Sequence, residues 1–175
     1  MKEAFYKNLQ NILLVGVIIL GIISIIGSAP RYIVRSIPTT PLVDNEYFTA
    51  TIEPISVYYG GTQLNAFRLN VSNKTNKDLT IIWDKTLYIL DGRTTGTFMF
   101  EGIIYKDRNN PKPPDIVFTK TTFSKIISPC NLVHFSKGWY HEPLPIGENG
   151  VYLTIAVEGK EITGKMVVNL VQEKQ

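Results

Sequence analysis

Three side chains in the last third of the chain carry the most suggestive chemistry: Cys130, His134 and His141. A thiolate and two imidazoles are soft and intermediate donors, the set that suits copper or zinc. Cys130 is the only cysteine of the chain, so it has no intramolecular disulfide partner. A lone cysteine ordinarily serves as a small buried hydrophobe. An exported domain without a disulfide is held together by its core.

The order of a cysteine followed by histidines late in a β-rich chain resembles the ligand stretch of blue-copper domains, whose fold would be a β-sandwich. The likeness is confined to this stretch. Those domains use a further histidine on an earlier strand, and no histidine precedes His134 here. No methionine lies near His141, and the sequence still has two strand patterns to run. Metal binding by Cys130, His134 and His141 is therefore the subordinate expectation, and no cofactor is assigned.

Hydrolytic chemistry finds less support. A nucleophile needs a base held by an orienting carboxylate, and although Glu142 is next to His141, neighbouring residues of a strand point to opposite faces. Asp84, Asp91, Asp107 and Asp115 lie near turn signals, where a carboxylate ordinarily bonds nearby backbone. The chain has no phosphate-cradling glycine motif and no HExxH. The expectation is a protein without catalytic residues.

A binding surface is the better candidate. Ser136 to Gly150 (SKGWYHEPLPIGENG) holds three glycines, two prolines and the adjacent aromatics Trp139 and Tyr140. Aromatics in such a stretch are not needed for strand packing, and when exposed they make adhesive contacts. Trp139, Tyr140 and His141 are the partner-binding candidates, the alternative being that the rings fold back over one end of the domain. Asn70-Val71-Ser72 and Asn73-Lys74-Thr75 match glycosylation sequons, a common triplet that carries little weight alone.

The elements that would position these residues are strands. Phe48, Ala50 and Ile52 alternate with polar residues, Pro54 interrupts as on an edge strand, and the pattern resumes at Ile55 to Tyr59. Phe67, Leu69 and Val71 alternate likewise. The polar run Asn73 to Asp78 then predicts a hairpin onto Leu79, Ile81 and Trp83 at the centre of the sheet. Asp91-Gly92 predicts a tight turn after Tyr88-Ile89-Leu90. Phe98 to Tyr105 and Asp115 to Ile127 read as strands separated by a charged, proline-rich loop, and Leu132 to Phe135 as a short strand. Val151, Leu153, Ile155 and Val157, followed by Glu158-Gly159-Lys160 and then Met166, Val168 and Leu170, predict a terminal hairpin. The expected fold is an all-β, immunoglobulin-like antiparallel β-sandwich of about eight strands. A closed barrel is the alternative.

Before the strands comes a different kind of sequence. Ile12 to Ile26 (ILLVGVIILGIISII) carries no charge, and with its shoulders the run from Leu9 to Ala29 is about 20 residues, long enough for a helix to span a bilayer. Phe5, Tyr6 and Tyr32 flank it where headgroup layers would lie. Lys2, Lys7 and the small residues Gly27-Ser28-Ala29 also suit a signal peptide, but Pro30 obstructs cleavage. The expected organisation is a tail at 1–8, one N-terminal transmembrane helix at 9–29, a proline-containing tether at 30–46 and a β-domain at 47–175. Gly16, Gly21 and Gly27 are not four apart, so the helix lacks the small-residue ridge that brings spans together and is read as a tether.

A net charge of +3, spread along the chain, excludes the strong basic field of a nucleic-acid binder. The expected function is a non-catalytic, membrane-anchored binding or assembly module of a cell-envelope complex. Its expected partners are membrane lipid through residues 9–29 and an envelope protein. The alternative is an extracytoplasmic carrier of copper, zinc or a small ligand through the Cys130 to His141 region. A run this close to the N-terminus behaves as a signal anchor, which leaves the bulk of the chain extracytoplasmic, periplasmic in a Gram-negative cell. Protease added to intact right-side-out spheroplasts is expected to degrade the β-domain. Full protection until lysis would reverse the orientation.

Overall fold

The computed structural model describes residues 32–58 and 60–174. The tail at 1–8 and the apolar run at 9–29 lie outside the described residues, among which no helix is long and apolar enough to cross a membrane.

The described chain is all-β. Its strands are β1 (Tyr32–Ile37), β2 (Leu42–Asp44), β3 (Phe48–Ile55), β4 (Ala66–Asn73), β5 (Leu79–Ile81), β6 (Leu87–Leu90), β7 (Arg93–Gly96), β8 (Phe98–Met99), β9 (Asp115–Val117), β10 (Thr122–Pro129), β11 (Val133–Phe135), β12 (Trp139–His141), β13 (Gly147–Val157) and β14 (Lys160–Lys174). Several have only two to four residues, which is why the count exceeds the eight expected. One sheet has the order β1-β14-β13-β5-β9, with β6 also bordering β13 and β7 bordering β6. The second has the order β2-β3-β4-β10-β8, and β11 and β12 form a separate two-stranded ribbon.

Alternation places the core between the two larger sheets. Phe48, Ala50 and Ile52 of β3 and Phe67, Leu69 and Val71 of β4 are buried in one cluster with Val151, Leu153 and Ile155 of β13 and Met166, Val168 and Leu170 of β14. This is the sandwich arrangement, apolar residues inward and polar residues outward along each strand. Tyr88 crosses the core with its hydroxyl 2.5 Å from Asn149 Oδ1. Burial pushes that phenol well above its ordinary range, with the Asp91 carboxylate adding to the effect, so it remains a donor.

Two turns form as their sequences require. Asp91 and Gly92 both have positive φ (47° and 76°) between β6 and β7, as do Glu158 and Gly159 (48° and 82°) between β13 and β14. Positive φ at both central positions suits the right-handed twist of the flanking strands. At Pro54 the strand does not break. It pairs with Phe67 of β4, while β2 reaches only Thr49 to Thr51 on the other side, so the missing N–H falls on an open edge.

Five expectations are corrected. Asn73 to Asp78 does not close a hairpin: β4 pairs with β3 and β10, whereas β5 pairs with β13 and β9 in the opposite sheet. The stretch from Asp115 to Ile127 is not one strand. A turn closed by the Thr121 amide on Phe118 O (3.1 Å), with Lys120 at φ 58°, sends β9 to one sheet and β10 to the other. Trp83 is buried but sits in a 3-10 turn, Trp83–Lys85, and Phe98 to Tyr105 contributes only the two residues of β8 before turning away. Residues 32–44, expected within an irregular tether, supply β1 against β14 and β2 against β3. Gly164 of β14 leaves room for β2, since a Cβ there would lie 2.8 Å from Val43 Cγ1.

Two of the crossings between sheets, β4 to β5 and β9 to β10, are tied to one side chain. Asn73, 4% exposed, donates from Nδ2 to Lys77 O (2.7 Å), Val117 O (3.0 Å) and Phe118 O (3.2 Å). Its Oδ1 accepts from the Thr75 amide (2.8 Å) and hydroxyl (2.9 Å). The nitrogen that a glycan would occupy is thus consumed by the fold. Because each buried polar group left unsatisfied costs about 1–3 kcal/mol, Asn73→Ala is expected to lower unfolding free energy by at least about 2 kcal/mol in urea titration. Asn70→Ala, at the other sequon, should change it by less than about 0.5 kcal/mol.

Candidate functional site

The ribbon of β11 and β12 stands apart from both sheets and carries most of the residues singled out in the sequence. Its register pairs Val133 with His141, His134 with Tyr140 and Phe135 with Trp139. Residues directly opposite in an antiparallel pair share a face. His134 and Tyr140 therefore lie on one face, and His141 with Phe135 and Trp139 on the other.

That register separates the three metal-ligand candidates. His134 Nε2 lies 2.9 Å from Glu142 Oε1, and its ring lies beside that of Tyr140 with centroids 6.3 Å apart. His141 faces the other way, its Nδ1 3.1 Å from Ser128 Oγ on β10. Cys130, in a 3-10 turn before β11, places Sγ 3.4 Å from Thr97 Oγ1 and 3.7 Å from Arg108 O. Among the described residues no three His, Cys, Asp or Glu side chains gather as a metal site would require.

His141 instead fastens the ribbon to the second sheet. Its backbone N–H donates to Tyr58 Oη (2.8 Å), and the two rings meet edge to face with centroids 6.1 Å apart. Burial holds the imidazole below its ordinary pKa, which keeps the ring neutral at pH 7. Ser128 is only 3% exposed, and the carboxylate of Glu142 is turned to His134, so the Ser128–His141 contact lacks the orienting acid that nucleophilic catalysis uses. Its evident work is to dock the ribbon.

Docking leaves the aromatics outside. Trp139 is 46% exposed, Tyr140 54% and Phe135 51%, so they do not cap the end of the sandwich. They are still held in place. Trp139 meets Phe135 at 5.1 Å between centroids and Tyr105 at 6.1 Å, and the Arg108 guanidinium lies 4.2 Å from the Tyr105 ring. Rings supported edge to face, with a cation against half-buried Tyr105, lose little side-chain freedom when a partner arrives.

Beside the ribbon lies a cleft of about 860 Å³. Its lining includes Trp139 and His141 of β12, Ser124 and Ile126 of β10, and the turn from Phe100 to Ile104. Ile104 and Ile126 are exposed there. Lys125 points inward at the cleft margin, where its ammonium pairs with Asp115 and lies 4.2 Å from the Phe100 ring. Asp115 also accepts from Trp83 Nε1 (2.8 Å), so the cation is neutralised locally. Glu101, also on the lining, has no ionic partner among the described residues.

The sequence pointed to Trp139, Tyr140 and His141, and it missed Glu101, Ile104, Ile126 and Tyr58. The only available signal was Ile126, an apolar residue in the outward-facing phase set by Thr122 and Ser124. Comparison of the sequence with protein-family models and with curated proteins finds no match.

The docking contact makes the site sensitive to acid. Since burial depresses the pKa of His141 from 6.5, its contribution to docking is present above about pH 6.5 and is lost as pH falls through the folded-state value. Hydrogen exchange of the His141 amide, corrected for intrinsic rate, is expected to accelerate on acidification below that point. His141→Gln, which can still reach Ser128 but does not titrate, should flatten the profile.

Proposed function

We propose that the chain is a non-catalytic binding or assembly module of a cell-envelope complex, with an immunoglobulin-like sandwich held outside the membrane by the span at 9–29. The partner is a protein, gripped at the face formed by the β11–β12 ribbon and its cleft. The single observation that carries this reading is a set of mutually supported rings, exposed Phe135 and Trp139 against half-buried Tyr105, of which Trp139 lines an apolar cleft. Exposed apolar residues scattered singly are unremarkable on a protein surface, whereas a contiguous and preorganised set marks an interaction site. The immunoglobulin-like reading is supported by two packed antiparallel sheets with strands passing between them. The single-pass, extracytoplasmic placement is supported by the uncharged run at 12–26.

A photo-crosslinking residue in place of Ile104, exposed on the cleft lining, in the full chain in its native membrane, is expected to yield a discrete protein adduct. The same residue at Thr163, exposed on the far sheet, should yield none. Trp139→Ala should reduce the adduct at least about tenfold, as for an interface anchor. Absence of any adduct from position 104, together with one equivalent of copper or zinc in the purified chain, would overturn the reading in favour of a metal carrier.

A further inference from the structure

The backbone of β10 reveals what kind of segment the cleft accepts, an inference that rests on the binding role proposed above. Two hydrogen bonds fix the direction of every peptide group along this strand. The Asn73 amide donates to Thr121 O (2.9 Å), so odd-numbered residues of β10 face β4. The Cys130 amide donates to Thr97 O (3.0 Å), so even-numbered residues face the β8 side. β8 pairs only with Ser128 and Pro129. Beyond Met99 the chain turns away, with the Ile103 amide closing on Phe100 O (3.2 Å).

The peptide groups of Thr122, Ser124 and Ile126 therefore point to an edge that no strand occupies among the described residues. That edge opens into the cleft, whose lining includes both Ser124 and Ile126. From Thr122 to Ile126 it offers about 17 Å of unpaired backbone at about 3.4 Å per residue. The remaining lining specifies the visitor's side chains. Ile104, Ile126 and Trp139 present exposed apolar surface, and the carboxylate of Glu101 has no local counter-charge, whereas Lys125 has Asp115.

We infer that the cleft binds an extended segment of the partner protein, which adds to the second sheet as a strand along β10. Its backbone pairs with Ser124 and Ile126, alternate apolar side chains rest on Ile104, Ile126 and Trp139, and a lysine or arginine reaches Glu101. Strand addition draws affinity from main-chain hydrogen bonds and specificity from alternate side-chain pockets. A second copy of β10 is a poor occupant, because its one charged residue, Lys125, is already paired with Asp115 and so supplies no cation for Glu101. The inward-pointing Lys125 is also a feature that guards an edge against indiscriminate pairing.

The test is hydrogen exchange on the full chain in detergent micelles, with a seven-residue peptide of alternating valine and threonine and one central lysine as probe. Saturating peptide is expected to slow exchange of the Ser124 and Ile126 amides at least tenfold, leaving Phe123 and Lys125, already bonded to β4, unchanged. The same peptide N-methylated on alternate residues should give no protection. Ser124→Pro, which removes an edge-facing N–H without touching the β4 ladder, should abolish binding while the exchange pattern of β3 and β4 reports an intact fold. If that variant unfolds, Glu101→Lys serves in its place, with an expected affinity loss of about two- to fivefold. Equal protection by the N-methylated peptide, or none by either peptide, overturns the inference. Protection that rises with protein concentration alone assigns the edge to a second copy and also overturns it. A crosslink from position 104 that survives Ser124→Pro would leave the binding role standing and remove only the strand-addition mode, so the two failures are distinguishable.

Discussion

Two sheets held face to face by apolar side chains alone could slide, and what sets their relation is the clasp around Asn73. One amide side chain donates to three carbonyls and accepts from Thr75. It binds the connection that leaves β4 to the turn that leads into β10. Because it is almost completely buried, its bonds are formed at low dielectric, where a missing partner is costly. Two of the points at which the chain changes sheets, after β4 and before β10, are thereby made a single unit, and the strand that lines the cleft begins immediately after it.

From that anchor the site is assembled in steps. β10 is held by β4 through six paired residues, and its far end carries Ser128 to His141. His141 and Tyr58 then fix the ribbon, and the ribbon fixes Trp139. Each step uses a neutral, partly buried contact rather than an ion pair, so the geometry of the cleft is insensitive to salt. The ion pair closest to it, Lys125 with Asp115, sits where an unpaired lysine would otherwise face the core margin, and the flanking rings of Phe100 and Trp83 share its charge.

Preorganisation is what distinguishes this surface from a merely exposed aromatic loop. A ring free to rotate loses freedom on binding, whereas Trp139 already rests against Phe135 and Tyr105. The irregular loop from Lys106 to Pro114 contributes from below. Lys112, 6% exposed, donates from Nζ to Arg108 O (2.9 Å), and its backbone N–H donates to Asp84 Oδ1 (3.0 Å). This holds the loop that presents Tyr105 and Arg108. A segment whose composition suggested only a solvated loop therefore supports the candidate site.

Local physics was legible wherever a residue's environment is set by its near neighbours in sequence. The alternation of β3, β4, β13 and β14 and the positive-φ turns at Asp91-Gly92 and Glu158-Gly159 follow from period-two burial and turn chemistry, whereas no strand was expected at β12, which carries Trp139 and Tyr140. Partner choice between strands was not legible. The same polar run at 73–78 serves equally as a hairpin loop or as a crossing, and only the distant carbonyls of Val117 and Phe118, which Asn73 reaches, decide for the crossing. The division of Asp115 to Ile127, the recruitment of residues 32–44 into both sheets, and the separation of His134 from His141 by ribbon register have the same origin. Sequence alone determined an all-β chain with a charge-free N-terminal run and an adjacent aromatic pair, Trp139 and Tyr140, whose exposure it left open. Tertiary structure decided which edge of β10 stays open and which side chains surround it, because strand pairing is settled by backbone groups that are alike in every residue and are sorted only by packing.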